Sequence, residues 1–311
     1  MPQPQIFAGS AQYPPATPQP VVTIGNFDGV HRGHRQLLTR LRERAAQLDA
    51  PSCVYTFEPP PRVLLAPKQR SPRIMPWTEK IRLLGEAGID QVVVERFTRA
   101  FAQHPPDWFL QEILQQRLRA RALVVGYDFR FGRARGGDVG FLRRTVPHLL
   151  VDQVRPFVEE EDVISSSSIR ALVLAGDVER AALFLGRPHC LIGTIVAGEQ
   201  RGRKIGFPTA NVETGDELVP CGGVYAVRAR INRRAPWRDA VANLGVRPTF
   251  GGGGRFLIEV HLIDFRGDLY GDELQVSFIS RLRDEQRFEG RDALSLQLRQ
   301  DVADARALLQ P

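Results

Sequence analysis

The chain has 311 residues, a length that suits two domains, and each half is long enough to bury its own core. Hydrophobic residues make up 43% and charged residues 25%, a globular composition that excludes a disordered or fibrous protein. The net charge is +7, but all except three of the 42 basic residues are arginine. A genome-wide compositional preference explains this arginine content better than anionic ligands do, although the arginine fork also suits phosphate.

Neither a disulfide framework nor a membrane span is indicated. Cys53, Cys190 and Cys221 are widely spaced and form no CxxC pair, which fits a reducing cytoplasm. No apolar run approaches the ~20 residues of a membrane span. Residues 1–20 lack the basic and apolar regions of a signal peptide and are rich in Pro and Gln, so we expect a loose lead-in.

Short apolar strands alternate with helices over residues 21–186, which predicts a parallel sheet with crossover helices. The predicted strands are 21–24, 53–57, 91–95 and 122–125. The predicted helices are 35–48, 79–87 with Thr78 as its N-cap, 107–119, 168–175 and 178–185.

The pattern changes after Gly186, where β-rich runs separated by Gly, Pro and Asp predict an antiparallel barrel or sandwich. These runs are 190–197, 223–231, 240–244, 256–264 and 273–278. A terminal helix over 292–309 is predicted from the apolar residues on one of its faces, Leu294, Leu298, Val302, Ala305 and Leu309. The predicted domains are therefore 21–186 and 187–311.

The segment GNFDGVHRGH at 25–34 lies between the first predicted strand and the first predicted helix. Ligands of open α/β sheets bind at the carboxyl ends of strands, where a helix N-terminus favours phosphate. His31 and His34 share one face of a helical turn and can donate hydrogen bonds to a polyphosphate. Two alternatives remain open, a glycine-rich turn with incidental histidines and a metal site without an apparent third ligand.

This segment resembles the GxFDxxHxGH signature of nucleotidyltransferases. TFEP at 56–59, WTEK at 77–80, GYDFRFG at 126–132 and ISSSSIR at 164–170 follow in order. Together they resemble the FMN adenylyltransferase module of prokaryotic bifunctional riboflavin kinase/FAD synthetases. The resemblance implies a Rossmann-like domain that transfers the adenylyl group of ATP to FMN. Three residues would be catalytic: His31, His34 and Arg170. The implied ATP-binding residues are Gly25, Phe27, Asp28, His31, Gly33, His34, Asp128, Ser166, Ser167 and Arg170.

The chain departs from this family pattern at two positions. Pro60 stands where the family often has a histidine in its FxPxP segment, and Ser167 stands where a threonine is common. Serine keeps the hydroxyl group, so that change should be mild. Pro60 removes a contact that histidine could make. An enzyme with one active and one degenerate module therefore stays an alternative.

A second glycine-rich segment, GEQRGRKIGFPTAN at 198–211, follows the first β run of the second half. Its glycines and basic residues suit the polyphosphate of a nucleotide. The Thr209 hydroxyl and the Asn211 amide oxygen point to one side of an extended segment, and both are hard ligands that suit Mg²⁺. By itself, the segment is better explained as a hairpin loop with an ordinary Pro-Thr turn.

The segment resembles the GxxxGRxxGFPTAN signature of riboflavin kinases, and GGVY at 222–225, NLGVRPTF at 243–250 and DLYG at 268–271 agree. The resemblance implies a β-barrel kinase that phosphorylates riboflavin with ATP and Mg²⁺. The implied catalytic base is Glu259. The implied flavin-binding residues are Glu259, Arg281, Arg283 and Phe288. The implied ATP-binding residues are Gly198, Gly202, Arg203, Lys204, Gly206, Thr209 and Asn211, of which Thr209 and Asn211 would bind the metal.

A nucleic-acid-binding protein is the alternative from another functional class. It should show a concentrated basic face with stacking aromatic residues. Residues 1–186 hold 24 basic and 19 acidic side chains, and residues 187–311 hold 18 and 16, so neither half is strongly cationic. The expected partners are riboflavin, FMN, FAD and ATP, not nucleic acid or a membrane. The expected location is the cytoplasm, and a homo-oligomer stays open.

Overall fold

The computed structural model describes residues 3–66, 72–159, 161–198, 206–247 and 255–310. The described residues form two compact units. The first unit ends at residue 165 and omits 72–76, and the second contains 72–76 and the residues from 166 onward. No helix in the described part of the chain is both long enough and apolar enough to cross a membrane.

The first unit is an α/β structure, as predicted. Its main strands are β1 Gln5–Phe7, β2 Val21–Ile24, β3 Ser52–Glu58, β4 Gln91–Arg96, β5 Ala122–Gly126 and β6 Leu150–Val154. Two short strands pair antiparallel, β7 Val158–Glu159 and β8 Asp162–Val163. Its helices are α1 Arg32–Gln47, α2 Pro61–Leu65, α3 Trp77–Glu86, α4 Arg99–Ala102, α5 Pro106–Trp108, which continues in wide turns over Phe109–Arg117, and α6 Val139–Thr145.

The strand order β1-β4-β3-β2-β5-β6 places a topological switch at β2. The chain runs from β2 to β3 and β4 on one side, then returns to β5 on the other side, and all these pairs are parallel. Val21 and Val22 are fully buried because helices cover both faces of such a sheet. The loops after β2 and β5 therefore meet at the carboxyl edge, where open α/β sheets bind ligands.

Three local predictions for this unit are wrong. The lead-in is ordered rather than loose, because β1 pairs with β4 and the buried Tyr13 hydroxyl donates to Gln91 Oε1 at 2.7 Å. Thr78 lies inside α3 rather than capping it, since Pro76, with its fixed φ, directly precedes the helix. The predicted helix 107–119 is not regular, because the Leu118 N–H donates to the carbonyl five residues earlier.

The second unit is a closed antiparallel barrel with helices, and the barrel prediction is confirmed. Its strands, in the order β10-β13-β12-β11-β14-β9 around the barrel, are β9 His189–Val196, β10 Ala210–Thr214, β11 Gly223–Ile231, β12 Arg238–Arg247, β13 Arg255–Leu262 and β14 Glu273–Arg283. Its helices are α7 Ser166–Ala175, α8 Val178–Leu185 and α9 Arg291–Leu309. Ala305 and Leu309 of α9 pack on the outer face of the barrel against Val224 and Val241.

The compact units divide at a different place from the predicted domains. The sequence predicts a limit at 186, where the pattern changes from helices to strands. In the structure, α7 and α8 already belong to the second unit, because Val178 is fully buried in the cluster that fills the barrel. A change of secondary-structure type does not mark the limit of packing, so the functional boundary at 186 stays a prediction.

Candidate active sites

The turn between β2 and α1 carries the first group of predicted residues. α1 begins at Arg32, three residues before the predicted start, which makes His31 its N-cap. His31 Nδ1 accepts a hydrogen bond from the His34 backbone N–H at 3.2 Å. The Arg32 and Gly33 N–H groups have no helical carbonyl one turn earlier, so this helix end suits a phosphate group.

His31 and His34 form a stacked pair, with ring centroids 3.6 Å apart and 19° between their planes. Because His31 Nδ1 accepts a hydrogen bond, the proton of its neutral ring lies on Nε2. Two imidazoles at a helix N-terminus can stabilise the charge that develops on phosphate oxygens. No group of three His, Cys, Asp or Glu side chains in the described part of the chain could hold a metal ion.

The backbone of this turn explains the spacing of its sequence motif. Phe27 and Val30 have positive φ angles of 50° and 36°, and between them Gly29 has a φ of 88°. The Phe27 ring is buried and its centroid lies 5.0 Å from that of His34. A Cβ at Gly33 would lie only 3.3 Å from the His31 ring. Glycine therefore leaves the space in which the imidazole pair is held.

Asp128 lies at the same edge of the sheet as this turn, because it follows β5 and β5 pairs with β2. A Cβ at Gly126 would lie 3.5 Å from Asp128 Oδ1, so the carboxylate turns back over the end of the strand. Partial burial and then the charge of Asp128 raise the pKa of the neighbouring Tyr127. Gly25 and Asp28 belong to the turn itself, and Asp28 is buried.

Ser166, Ser167 and Arg170 lie near the N-terminus of α7, in the second unit. The Arg170 Nε atom donates to the Pro72 carbonyl at 3.0 Å, and Nη1 donates to the Ser166 carbonyl at 3.1 Å. These two bonds hold the guanidinium beside the start of the helix. A role for the three residues in ATP binding stays a prediction.

Glu259 lies in β13 on the outer face of the barrel, because its neighbours Ile258 and Val260 point into the barrel core. The strand register pairs Glu259 with Asn211 of β10 on one side and with Asn243 of β12 on the other. Directly paired side chains share a face, with Cβ atoms about 5 Å apart. We call Asn211, Glu259 and Asn243 the polar row. It places a carboxylate between two amides.

Asn211 is 8% exposed and packs against Gly198, where any Cβ would collide with the Asn211 amide. Thr209 lies just before β10, two residues from Asn211. Mg²⁺ that carries a nucleotide needs only one or two protein oxygens besides phosphates and water. A hydroxyl and a shielded amide therefore fit the metal. Gly206 has a φ of 85°, and the remaining predicted ATP-binding residues lie outside the described residues: Gly202, Arg203 and Lys204.

The two predicted flavin-binding arginines hold other parts of the second unit. Arg281 donates to the Gly222 carbonyl at 2.8 Å. Arg283 forms a two-bonded ion pair with the buried Asp301 of α9, with both N···O distances 2.7 Å, and lies 5.9 Å from the Phe288 ring centroid. Both guanidinium groups thus anchor backbone or helix, and their contact with flavin stays a prediction.

Comparison with known proteins agrees with this division into two kinds of site. A family model described as FAD synthetase matches residues 14–168, and one described as riboflavin kinase matches residues 185–309. A protein of Pseudomonas fluorescens named bifunctional riboflavin kinase/FMN adenylyltransferase is 42% identical, over 94% of this chain and 93% of its own. The chain belongs to this family of bifunctional enzymes.

Other family members extend the likeness over most of the chain. The relative of the same name from Escherichia coli K12 is 41% identical over 92% of this chain and 91% of its own. The relative from Listeria monocytogenes is 33% identical over the same shares of the two chains, 92% and 91%. A crystal structure described as a macrolide-efflux protein from Streptococcus pneumoniae is 30% identical, has a TM-score of 0.88 and covers 97% of this chain and 98% of its own. The fold is therefore shared across both units.

Sequence reasoning missed two residues of the barrel that the structure brings to the polar row. Asn243 pairs directly with Glu259, and His261 lies two residues further along the same face of β13. A signal for Asn243 was present, since it opens the NLGVRPTF segment that resembles riboflavin kinases. The only signal for His261 was its spacing of two from Glu259, which is too common in strands to single out a residue.

Proposed function

We propose that the chain phosphorylates riboflavin at the polar row of the barrel and adenylylates the resulting FMN at the turn after β2. One observation carries this proposal. Each of the two family models matches a region of the chain that contains one of these two groups of polar residues. The FAD synthetase region contains the stacked histidines, and the riboflavin kinase region contains Glu259 and Asn211. We accordingly assign adenylyl transfer to residues 21–186 and the kinase to residues 187–311.

In the adenylyl transfer, a phosphate oxygen of FMN attacks the α-phosphorus of ATP, and pyrophosphate leaves. His31 Nε2–H and the first N–H groups of α1 stabilise the negative charge that grows on the phosphate oxygens. His34 keeps the His31 ring in place, because it stacks on that ring and donates to its Nδ1. Asp128 meets the adenosine or metal side of ATP, and Ser166, Ser167 and Arg170 bind its phosphates. This residue chemistry needs no covalent enzyme intermediate.

In the kinase reaction, Glu259 accepts or orients the proton of the riboflavin 5′-hydroxyl while the γ-phosphoryl group transfers in line. Thr209 and Asn211 hold Mg²⁺, which neutralises charge on the transferring phosphates when it is bound. Asn243, which pairs with Glu259 on the other side, is placed to orient the carboxylate. Arg281, Arg283 and Phe288 border the flavin.

We place the enzyme in the cytoplasm, where ATP is plentiful. Support comes from the three free thiols, Cys53, Cys190 and Cys221, which suit a reducing compartment.

One incubation tests the proposal. Purified full-length protein is given riboflavin, ATP and Mg²⁺, and the flavins are separated over time. We expect FMN to appear first and FAD to follow, and EDTA to stop both. FMN without FAD would support the alternative of a degenerate adenylyltransferase carrying Pro60. No product at all would contradict both assignments.

A further inference from the structure

His261 makes a contact that none of the proposed steps uses. Its Nδ1 atom lies 2.9 Å from the Pro208 carbonyl oxygen, and its ring centroid lies 5.4 Å from that of Phe207. Because a carbonyl oxygen can only accept, Nδ1 must carry the proton and donate it. His261 thus contacts Phe207 and Pro208, the two residues that directly precede Thr209.

The segment is therefore fixed at two points, one on each side of Thr209. On one side, His261 holds the carbonyl of Pro208. On the other, Ala210 and Asn211 pair with Val260 and Glu259 in the strand ladder. The peptide bond between Pro208 and Thr209 is planar, so fixing the carbonyl oxygen also fixes the plane from which Thr209 continues.

Both fixed points belong to the same strand. Glu259 and His261 are two residues apart in β13 and therefore lie on one face, about 6–7 Å apart along the strand. A shift of the Thr209 segment relative to β13 would change the distance between the metal-binding oxygens and the carboxylate. The hydrogen bond from His261 opposes that shift.

We propose that His261 is a positioning residue of the kinase site, which sets the place of Thr209, and with it the metal-bound ATP, relative to Glu259. The inference rests on the proposed function, since it needs Thr209 and Glu259 to act in riboflavin phosphorylation. Groups that fix a metal ligand through a hydrogen bond, without binding the metal themselves, commonly contribute 10- to 100-fold to metal affinity or activity. His261 occupies that supporting position through the backbone rather than through the ligand side chain.

Three variants of the full-length protein separate the hydrogen bond from the packing of the ring. His261→Ala removes both. His261→Asn keeps an N–H donor near the place of Nδ1, whereas His261→Gln moves the donor one atom further out. For each we would measure kcat and KM for ATP in FMN formation at several Mg²⁺ concentrations, FAD formation from supplied FMN, and the melting temperature.

We expect His261→Ala to lower kcat/KM for ATP in FMN formation by about 10- to 100-fold and to raise the Mg²⁺ requirement. FAD formation from FMN should be unchanged, and His261→Asn should recover most of the loss while His261→Gln should not. If the Ala variant does not fold, the comparison of the Asn and Gln variants still tests whether the hydrogen bond positions Thr209.

Two results would overturn the inference. One is a His261→Ala protein with wild-type kcat/KM for ATP. The other is equal activity of the Asn and Gln variants, which would show that the donor position is irrelevant. A wild-type protein that forms FAD from FMN but no FMN from riboflavin would instead refute the kinase assignment itself.

Discussion

The turn after β2 gathers its side chains from ten consecutive residues, whereas the polar row on the barrel takes one residue from each of three strands. In the turn, His31 both caps α1 and carries the ring that we propose contacts the phosphates, so local structure and the proposed chemistry are coupled. On the barrel, Asn211, Glu259 and Asn243 meet only because the strand register aligns them. A site of the first kind depends on a few backbone angles, and a site of the second kind depends on the packing of a whole unit.

The largest expected effect is on the barrel. Glu259→Gln keeps the shape of the side chain but removes the base, so FMN formation should fall by about 10²- to 10⁴-fold. FAD formation from supplied FMN should not change, because Glu259 lies outside residues 21–186, to which we assign that reaction. Separation of the flavin products measures both activities. Glu273→Gln, at a barrel carboxylate that is ion-paired with Arg233, is the control, and an equal loss there would show that Glu259 has no special role.

The second prediction tests how strongly the packing of α9 stabilises the unit that contains the polar row. Asp301 is 1% exposed and holds Arg283 through two hydrogen bonds. Asp301→Asn leaves that guanidinium without its charge partner and should lower the free energy of unfolding by about 3–5 kcal/mol. Asp304→Asn changes an exposed carboxylate on the same helix and should have little effect. Denaturant titration of both variants compares them, and equal stabilities would mean that α9 does not anchor β14.

The third prediction concerns the turn after β2. His31→Asn replaces the imidazole with another good N-cap residue, so α1 should keep its start. FAD formation from FMN should nevertheless fall by about 10²- to 10³-fold, because the donor to the phosphate is gone. FMN formation from riboflavin serves as the internal control. If this variant forms FAD at the wild-type rate, His31 only caps α1 and has no role in adenylyl transfer.

The smallest predicted effect is a pH dependence confined to the second unit. Burial lowers the pKa of His189 to about 4, and its Nε2–H donates to the Leu218 carbonyl at 2.7 Å. The unfolded chain binds a proton near pH 6.5, so His189 contributes to stability above that pH. The contribution is lost as the pH falls from 6.5 toward 4 and is about 2 kcal/mol smaller at pH 5 than at pH 7.5.

Urea unfolding of the wild type and of His189→Gln at both pH values measures this contribution. The difference in unfolding free energy between pH 7.5 and pH 5 should be smaller in the variant by about 2 kcal/mol. The same pH dependence in both proteins would show that His189 does not titrate on unfolding.

The contrast between the two sites also explains what could be predicted from the sequence. Val21–Ile24 and Gly223–Ile231 are predicted with the bounds that the structure has, because a glycine turn borders each of them: Gly25 follows the first strand and Gly222 precedes the second. β1 could not be predicted, because the Pro and Gln residues around it are not typical of a strand. It is identified only by its pairing with β4 in the structure. The histidine pair was visible as a spacing of three. The polar row was not, because no sequence pattern states which residue of β12 lies opposite Glu259.

Complementation between two inactivated proteins tests the central claim of two separate sites most directly. One protein carries Glu259→Gln, the other carries His31→Asn, and the mixture receives riboflavin, ATP and Mg²⁺. Neither protein alone should make FAD from riboflavin, but the mixture should, because FMN released by the second protein is adenylylated by the first. A mixture that makes FMN but no FAD, from proteins that are both folded, would contradict the account.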